Sequence, residues 1–276
     1  MREIIVSRQN PLVKTVCSLL EKKHRRLMKL FRFDGVKLFC EAISCGLEIE
    51  YVILSEGANQ VSKDAVRVAI SDKKISEDKI FTVSGAVFEK ISEEKSPEGI
   101  VTVAHELLSV AEEIDGESLC EIVKSEDRLL IAESLRDPGN LGTVIRSCAA
   151  LGIDVLVLSD DCVDIYNPKT IRAAMGGIFR LKIIILSRGE MPYAIKNLRK
   201  QGRCVFATAL QEDSVEISRL SIKRGDCFVI GNEGHGLSDE VIDACDTSCI
   251  IPMKNGCESL NASAAAAICI WETVKN

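Results

Sequence analysis

Leu129-Leu130-Ile131-Ala132-Glu133-Ser134-Leu135-Arg136-Asp137-Pro138-Gly139-Asn140-Leu141-Gly142 decides the fold class. Leu129 to Ala132 is a short apolar run of the kind that forms a strand buried on both faces. Asp137 offers a side-chain acceptor to the first free N–H groups of a helix. Pro138 suits the first helical position, where no N–H is needed. The helix predicted from there runs past Arg146 to about Leu151, and Gly152 stops it.

The same strand-then-helix pattern recurs downstream. Strands are predicted at Asp154–Leu158, Leu181–Leu186, Cys204–Ala207, Cys227–Ile230 and Cys249–Ile251. Helices are predicted at Pro168–Met175, Pro192–Gln201, Leu237–Ala244 and Asn261–Val274. Strands alternating with helices imply a mainly parallel sheet covered on both faces. Ligands of such α/β folds sit outside the carboxyl ends of the strands.

Upstream lies a second, smaller α/β region. Asn10-Pro11 starts a helix carrying Leu12, Val16, Leu19 and Leu20, and 36–45 and Val61–Ile70 form two more. Strands are expected at Leu30–Phe33, Tyr51–Leu54, Ile80–Val83 and Ile100–Val103. Between the two regions, residues 105–127 hold eight acids and one lysine and read as a connector with a short exposed helix. The expected partition is 1–104, an acidic linker at 105–127, and 128–276. A chain of 276 residues accommodates two domains.

Composition narrows the classes. No apolar run approaches the roughly 18 residues of a membrane span, and the N-terminus lacks a secretory apolar segment, so a soluble cytoplasmic protein is expected. The twelve cysteines are scattered, and Cys40, Cys148, Cys204, Cys227 and Cys269 sit in apolar runs as small hydrophobes would. Cys245 and Cys249, with Cys257 beyond, lack the paired spacing of a zinc site, so no metal is expected. Net charge is −6, yet residues 1–37 hold ten Lys/Arg and three acids, a local +7. Arg8, Lys14, Lys22, Lys23, Arg25 and Arg26 are the candidate phosphate contacts, since a local basic patch outweighs total charge in nucleic-acid binding.

Two further polar breaks follow strands: Gly231-Asn232-Glu233-Gly234-His235-Gly236 and Glu258-Ser259-Leu260-Asn261. The dinucleotide fingerprint GxGxxG after a first strand is missing, and so is the phosphate loop GxxxxGK[ST]. Ser259 has no GxSxG elbow, which removes a hydrolase triad. Glycines in the late loop serve either a tight turn or a close approach of backbone to ligand.

Taken in order, Asn140-x-Gly142-x-x-x-Arg146, Gly231-Asn232-Glu233-Gly234 and Ser259-Leu260-Asn261 before an alanine-rich helix resemble the three motifs of the SpoU family. These are RNA ribose 2′-O-methyltransferases of the SPOUT superfamily. The likeness covers about 128–276. It extends to the first region through Ser7-Arg8-Gln9-Asn10-Pro11 and Asp34-Gly35-Val36-Lys37, which look like the substrate-binding domain of ribosomal RNA members. Asp34 stands where the family more usually has Glu.

The resemblance implies a C-terminal trefoil knot, S-adenosyl-L-methionine as cofactor, an RNA substrate and a homodimer. It places the cofactor against Thr208, Ala209, Gly231, Ile251, Met253 and Leu260. It assigns the catalytic site to Arg146, Asn140, Glu233, Ser259 and Asn261. A ribose hydroxyl is a poor nucleophile until its proton leaves, so positioning and proton removal are the tasks. Arg146 is expected near the target phosphate and hydroxyl, with Asn140 and Glu233 holding it and the nucleotide. Large-subunit ribosomal RNA is the expected substrate. A transfer RNA enzyme, a base methyltransferase and a non-catalytic RNA-binding or ribosome-assembly protein of the same fold are the alternatives.

Overall fold

The structure is a computed structural model and describes residues 3–94, 96–254 and 259–275. Its helices are α1 (Pro11–Ser18), α2 (Lys22–Met28), α3 (Val36–Ser44), α4 (Gln60–Ser71), α5 (Gly85–Ile91), α6 (Gly116–Ile122), α7 (Pro138–Leu151), α8 (Pro168–Ala174), α9 (Met191–Lys200), α10 (Asp239–Ala244) and α11 (Ala262–Val274). Its strands are β1 (Leu30–Asp34), β2 (Ile49–Ser55), β3 (Ile80–Val83), β4 (Ile100–His105), β5 (Val110–Ile114), β6 (Leu129–Ala132), β7 (Val155–Ser159), β8 (Lys182–Leu186), β9 (Val205–Thr208), β10 (Val215–Glu216), β11 (Cys227–Ile230) and β12 (Thr247–Ile250). The chain divides into two compact units. One takes the residues up to Leu107 together with Tyr166–Phe179, and the other takes Leu108–Ile165 and the residues from Arg180 on.

In the first unit, a four-stranded sheet has the order β1-β4-β2-β3. Alternate residues of a strand face opposite sides, so Tyr51 and Ile53 join a core with Val13, Val16, Leu19, Val87 and Ile91, while Val52 joins another with Phe39, Val66 and Ala69. The helix expected from Asn10 through Leu20 ends at Ser18, and α2 follows it. The Arg25 guanidinium donates to the carbonyls of Leu19 and Leu20, 2.7 Å each, and so satisfies the chain where α1 ends. Buried Arg32 donates to the Ile91 carbonyl at 2.6 Å and to Asp34 at 2.5 Å. Asp34 also accepts from the Ser92 hydroxyl and the Glu93 N–H, which ties β1 to the turn after α5. Tyr166 and Phe179 complete an aromatic cluster with Phe31 and Phe33, at centroid distances of 4.7 Å from Phe31 and 5.3 Å from Phe33 respectively.

The second unit holds an eight-stranded sheet of order β10-β12-β9-β11-β6-β7-β8-β5, in which every adjacent pair runs parallel. One face packs Leu129, Ile131, Val155, Val157, Ile184, Val205 and Val229 against α6, α9 and α10 through Leu119, Ile195, Leu198 and Val241. On α7, Leu141, Val144, Ile145 and Cys148 are buried, and on α11, Ala266, Cys269 and Ile270. The stretch 105–127, read as a connector, contains β5 and α6, and Leu119 and Val123 belong to this core. Cys148, Cys227 and Cys269 are buried as expected, whereas Cys40 and Cys204 are exposed, a correction to their reading as core. No helix among the described residues is long and apolar enough to cross a membrane.

Candidate active site

β6 and β11 come from distant parts of the chain, yet they lie side by side in register, Ala132 opposite Ile230. The Glu133 N–H donates to the Ile230 carbonyl at 2.9 Å. The loops leaving both strands therefore start from the same point on the sheet edge. Asp137 caps α7 by accepting from the Asn140 N–H at 2.7 Å, with Pro138 at the first turn and Gly152 (φ 85°) closing the helix. This fixes Asn140 at the mouth of the sheet.

Asn140 then links all three motifs. Its Nδ2 donates to Glu233 Oε1 at 3.0 Å, and its Oδ1 accepts from Asn261 Nδ2 at 2.9 Å. Glu233 also accepts from the N–H groups of Arg136 and Asp137, 3.2 Å each. Partial burial opposes the Glu233 charge, but the hydrogen bonds from Asn140, Arg136 and Asp137 outweigh it and hold the carboxyl below the ordinary glutamate value. Asn261 Oδ1 meanwhile caps α11, accepting from the N–H groups of Ser263 (2.9 Å) and Ala264 (3.3 Å).

The glycine loop is a closed turn. Asn232 and Gly236 exchange both backbone hydrogen bonds, at 2.9 and 3.0 Å. A Cβ on Gly231 would lie 2.4 Å from the Gly236 carbonyl carbon. Glycine at 231 is thus required by the loop's own backbone, whatever ligand approaches it. Asn232 fastens the turn to the other loop by donating to the Ser134 carbonyl at 2.8 Å.

The remaining cofactor candidates sit at the ends of adjacent strands. Thr208 and Ala209 end β9, which lies between β12 and β11; Gly231 follows β11 and Ile251 follows β12. The Thr208 hydroxyl donates to the Val229 carbonyl at 2.9 Å, and the Ala209 N–H to the Cys249 carbonyl at 3.2 Å. Leu210, Met253 and Leu260, on the loops that leave β9 and β12, are large apolar side chains left exposed. Unpartnered apolar surface beside strand-end backbone suits a ligand with a flat heteroaromatic ring and a thioether-like chain.

Other candidates are less gathered. Arg146 is exposed on α7, about 9 Å along the axis from Asn140 at the α-helical rise, and no described residue pairs with it. Ser259 is exposed. Cys257 and Glu258 lie outside the described residues. In the first unit, Lys14, Lys22, Lys23 and Arg26 are exposed, and exposed Arg8 donates through Nε to the Ala86 carbonyl. Arg25 is a correction: it is 3% exposed and committed to carbonyls, so it is withdrawn from the RNA-contacting set. Among the described residues, no group of three or more His, Cys, Asp or Glu is placed to hold a metal ion.

One cluster escaped the sequence reading. A cleft of about 810 Å³ is lined by Ser134, Arg136, Arg188, Glu233, Asp239 and Glu240, among others. Ser134 above it holds a left-handed backbone (φ 57°), which costs a non-glycine residue roughly 1–2 kcal/mol. The signal was present: Glu133-Ser134, Ser159-Asp160-Asp161 and Arg188 are polar residues stationed where β6, β7 and β8 end.

An all-parallel α/β sheet with three polar loops joined at its carboxyl edge defines an enzyme-like site of the strand-end type. Residues 127–271 match the SpoU rRNA Methylase family, and residues 10–102 match the MRM3-like substrate binding domain. The chain belongs to the SpoU rRNA methylase family. It is 30% identical over 271 residues to the 23S rRNA (guanosine(2553)-2′-O)-methyltransferase RlmP of Bacillus subtilis, with 97% of each chain covered. A solved RNA 2′-O ribose methyltransferase superposes with a TM-score of 0.80 at 26% identity, covering 99% of this chain and 98% of its own. An AdoMet-bound rRNA methyltransferase from Sinorhizobium meliloti shares the fold, with a TM-score of 0.81 at 24% identity and coverage of 99% and 97%.

Proposed function

We propose that the protein transfers the methyl group of S-adenosyl-L-methionine to a ribose 2′-hydroxyl of large-subunit ribosomal RNA. The observation that carries this reading is the hydrogen-bonded chain Asn261–Asn140–Glu233, which joins the three motifs at one sheet edge. Membership of the SpoU rRNA methylase family and the likeness to a 23S rRNA 2′-O-methyltransferase support it.

When bound, the cofactor supplies an electrophilic methyl group on a sulfonium centre. Thr208, Ala209, Gly231, Ile251, Met253 and Leu260 would hold it. Asn140 and Glu233 orient the nucleotide, and Ser259 and Asn261 complete the site from the last loop. Arg146 engages the target phosphate and hydroxyl. Its permanent charge stabilises negative charge building on the 2′-oxygen; arginine is not a base in isolation, so the hydroxyl proton leaves with the help of the RNA phosphate that Arg146 engages. Residues 1–104 bind RNA through Arg8, Lys14, Lys22, Lys23 and Arg26, and 128–276 carry the transfer. The same reading carries a trefoil knot, a homodimer and a cytoplasmic site of action.

The test is incubation of the protein with labelled cofactor and large-subunit or transfer RNA, followed by nucleoside analysis. A 2′-O-methylated nucleoside from large-subunit RNA is expected. A methylated base, or label in transfer RNA alone, would overturn the reading.

A further inference from the structure

The catalytic reading assigns nothing to the side chains beneath the 810 Å³ cleft. Glu133, 1% exposed, accepts from the Ser238 N–H (2.8 Å), the Ser238 hydroxyl (2.7 Å) and Arg188 Nε (3.1 Å). Asp161 accepts from the hydroxyls of Ser134 (2.7 Å) and Ser159 (2.6 Å) and from Arg136 Nη2 (2.7 Å). The same Asp161 oxygen that takes Arg136 lies 4.0 Å from Arg188 Nη1. Two guanidinium groups are thus drawn to a single carboxylate oxygen.

Like charges gathered this closely repel unless something negative lies between or beyond them. The carboxylates below neutralise part of that repulsion and lock both side chains. Yet the Arg136 and Arg188 side chains stay 59% and 53% exposed, and both line the cleft. A guanidinium has five N–H donors, and these contacts use only a few. The rest form a pre-set, two-pronged donor surface, the arrangement that suits a phosphate. Its position ties it to the site, since the Arg136 N–H donates to Glu233 at 3.2 Å.

We propose that Arg136 and Arg188, pinned together over Asp161 and Glu133, bind a backbone phosphate of the RNA beside the nucleotide held by Asn140 and Glu233. The proposal rests on the RNA-substrate reading above. Asp239, Glu240 and the ionised Glu233 line the cleft as well and oppose an anion there. The site therefore traps free phosphate poorly. It accepts a phosphodiester delivered by a strand that is anchored elsewhere.

The test measures affinity of the full-length protein for a mixed-sequence single-stranded RNA across a salt series, with no cofactor present. R136Q and R188Q keep a donor for Asp161 and Glu133 and remove the charge. Each is expected to weaken binding about tenfold and to flatten the plot of log affinity against log salt by ~0.7. E240Q, which removes the opposing charge, is expected to tighten binding. An unchanged slope in both folded glutamine variants overturns the proposal. So does weaker binding in E240Q, which would mean that the cleft reads donors of a base. Should the glutamine variants fail to fold, R136K and R188K carry the test: weakened binding with an intact slope is expected, and wild-type affinity refutes the site. A wild-type protein that shows this salt response but transfers no methyl group would sink the catalytic reading and leave the phosphate site standing.

Discussion

Asn140 uses both ends of one amide, giving a hydrogen to Glu233 and taking one from Asn261. Asn140→Ala severs both links, and displacement of a positioning group by about an ångström costs on the order of 10²-fold in rate. A drop in kcat of that size is expected, with cofactor affinity unchanged by calorimetry. Arg146→Ala should lower methyl transfer by roughly 10²–10³-fold, again with cofactor binding intact, because it removes the charge that stabilises the developing 2′-oxyanion. Glu233 makes a pH-dependent contribution to stability. Its folded-state carboxyl lies below the ordinary glutamate value, so its stabilisation is complete above that value and disappears as pH falls through the folded one. In acid titrations, wild type and Glu233→Gln should therefore converge in Tm at low pH and separate towards neutrality. Neighbours in sequence also separate by role: Arg25→Ala leaves buried carbonyls unpaired, worth about 1–3 kcal/mol, and should lower Tm. Arg26→Ala should leave Tm alone and weaken RNA binding.

At the level of elements, α7 was legible from Asp137, Pro138 and Gly152 because cap and stop signals are local. Its N-terminus is also the site's foundation, so Asp137→Ala should cost about 1 kcal/mol of stability and blunt activity together, read by denaturant titration beside kinetics. Gly231→Ala is expected to retain the fold of the sheet but push the 232–236 turn aside, carrying Glu233 out of reach of Asn140 and lowering kcat. What stayed hidden follows from the same physics. Leu119 of α6 and Val123 just past its end reach the core while Glu117 and Glu121 face water, and the acids mask the buried positions. Arg25 sits within a run of cations, and composition cannot tell which one turns inward. The insertion of β11 between β9 and β6 is set by long crossovers, whose length carries no information on neighbours.

For the whole molecule, the sheet order explains why motifs 93 and 121 residues apart meet: β11 returns to β6, and α11 returns to α7. The α/β class and the meeting of the loops could be anticipated from strand-end motifs. The arginine pair is marked in the sequence only as polar residues after β6 and β8; that the two meet depends on β7 lying between those strands, which no local signal gives. As a homodimer the protein should sediment at twice 30.2 kDa, and a species of 30.2 kDa alone would contradict the proposed assembly. The first unit draws Tyr166–Phe179 from far downstream in the chain. Translation proceeds from the N-terminus, so a nascent chain that has just emerged through Leu107 still lacks the two rings that enclose Phe31 and Phe33. That unit has all its residues only once the ribosome has moved on past Phe179, by which time β6, β7 and the motif helix between them have already been made. Synthesis of the two units is thereby interleaved in time, and neither can be excised by a single cut in the gene.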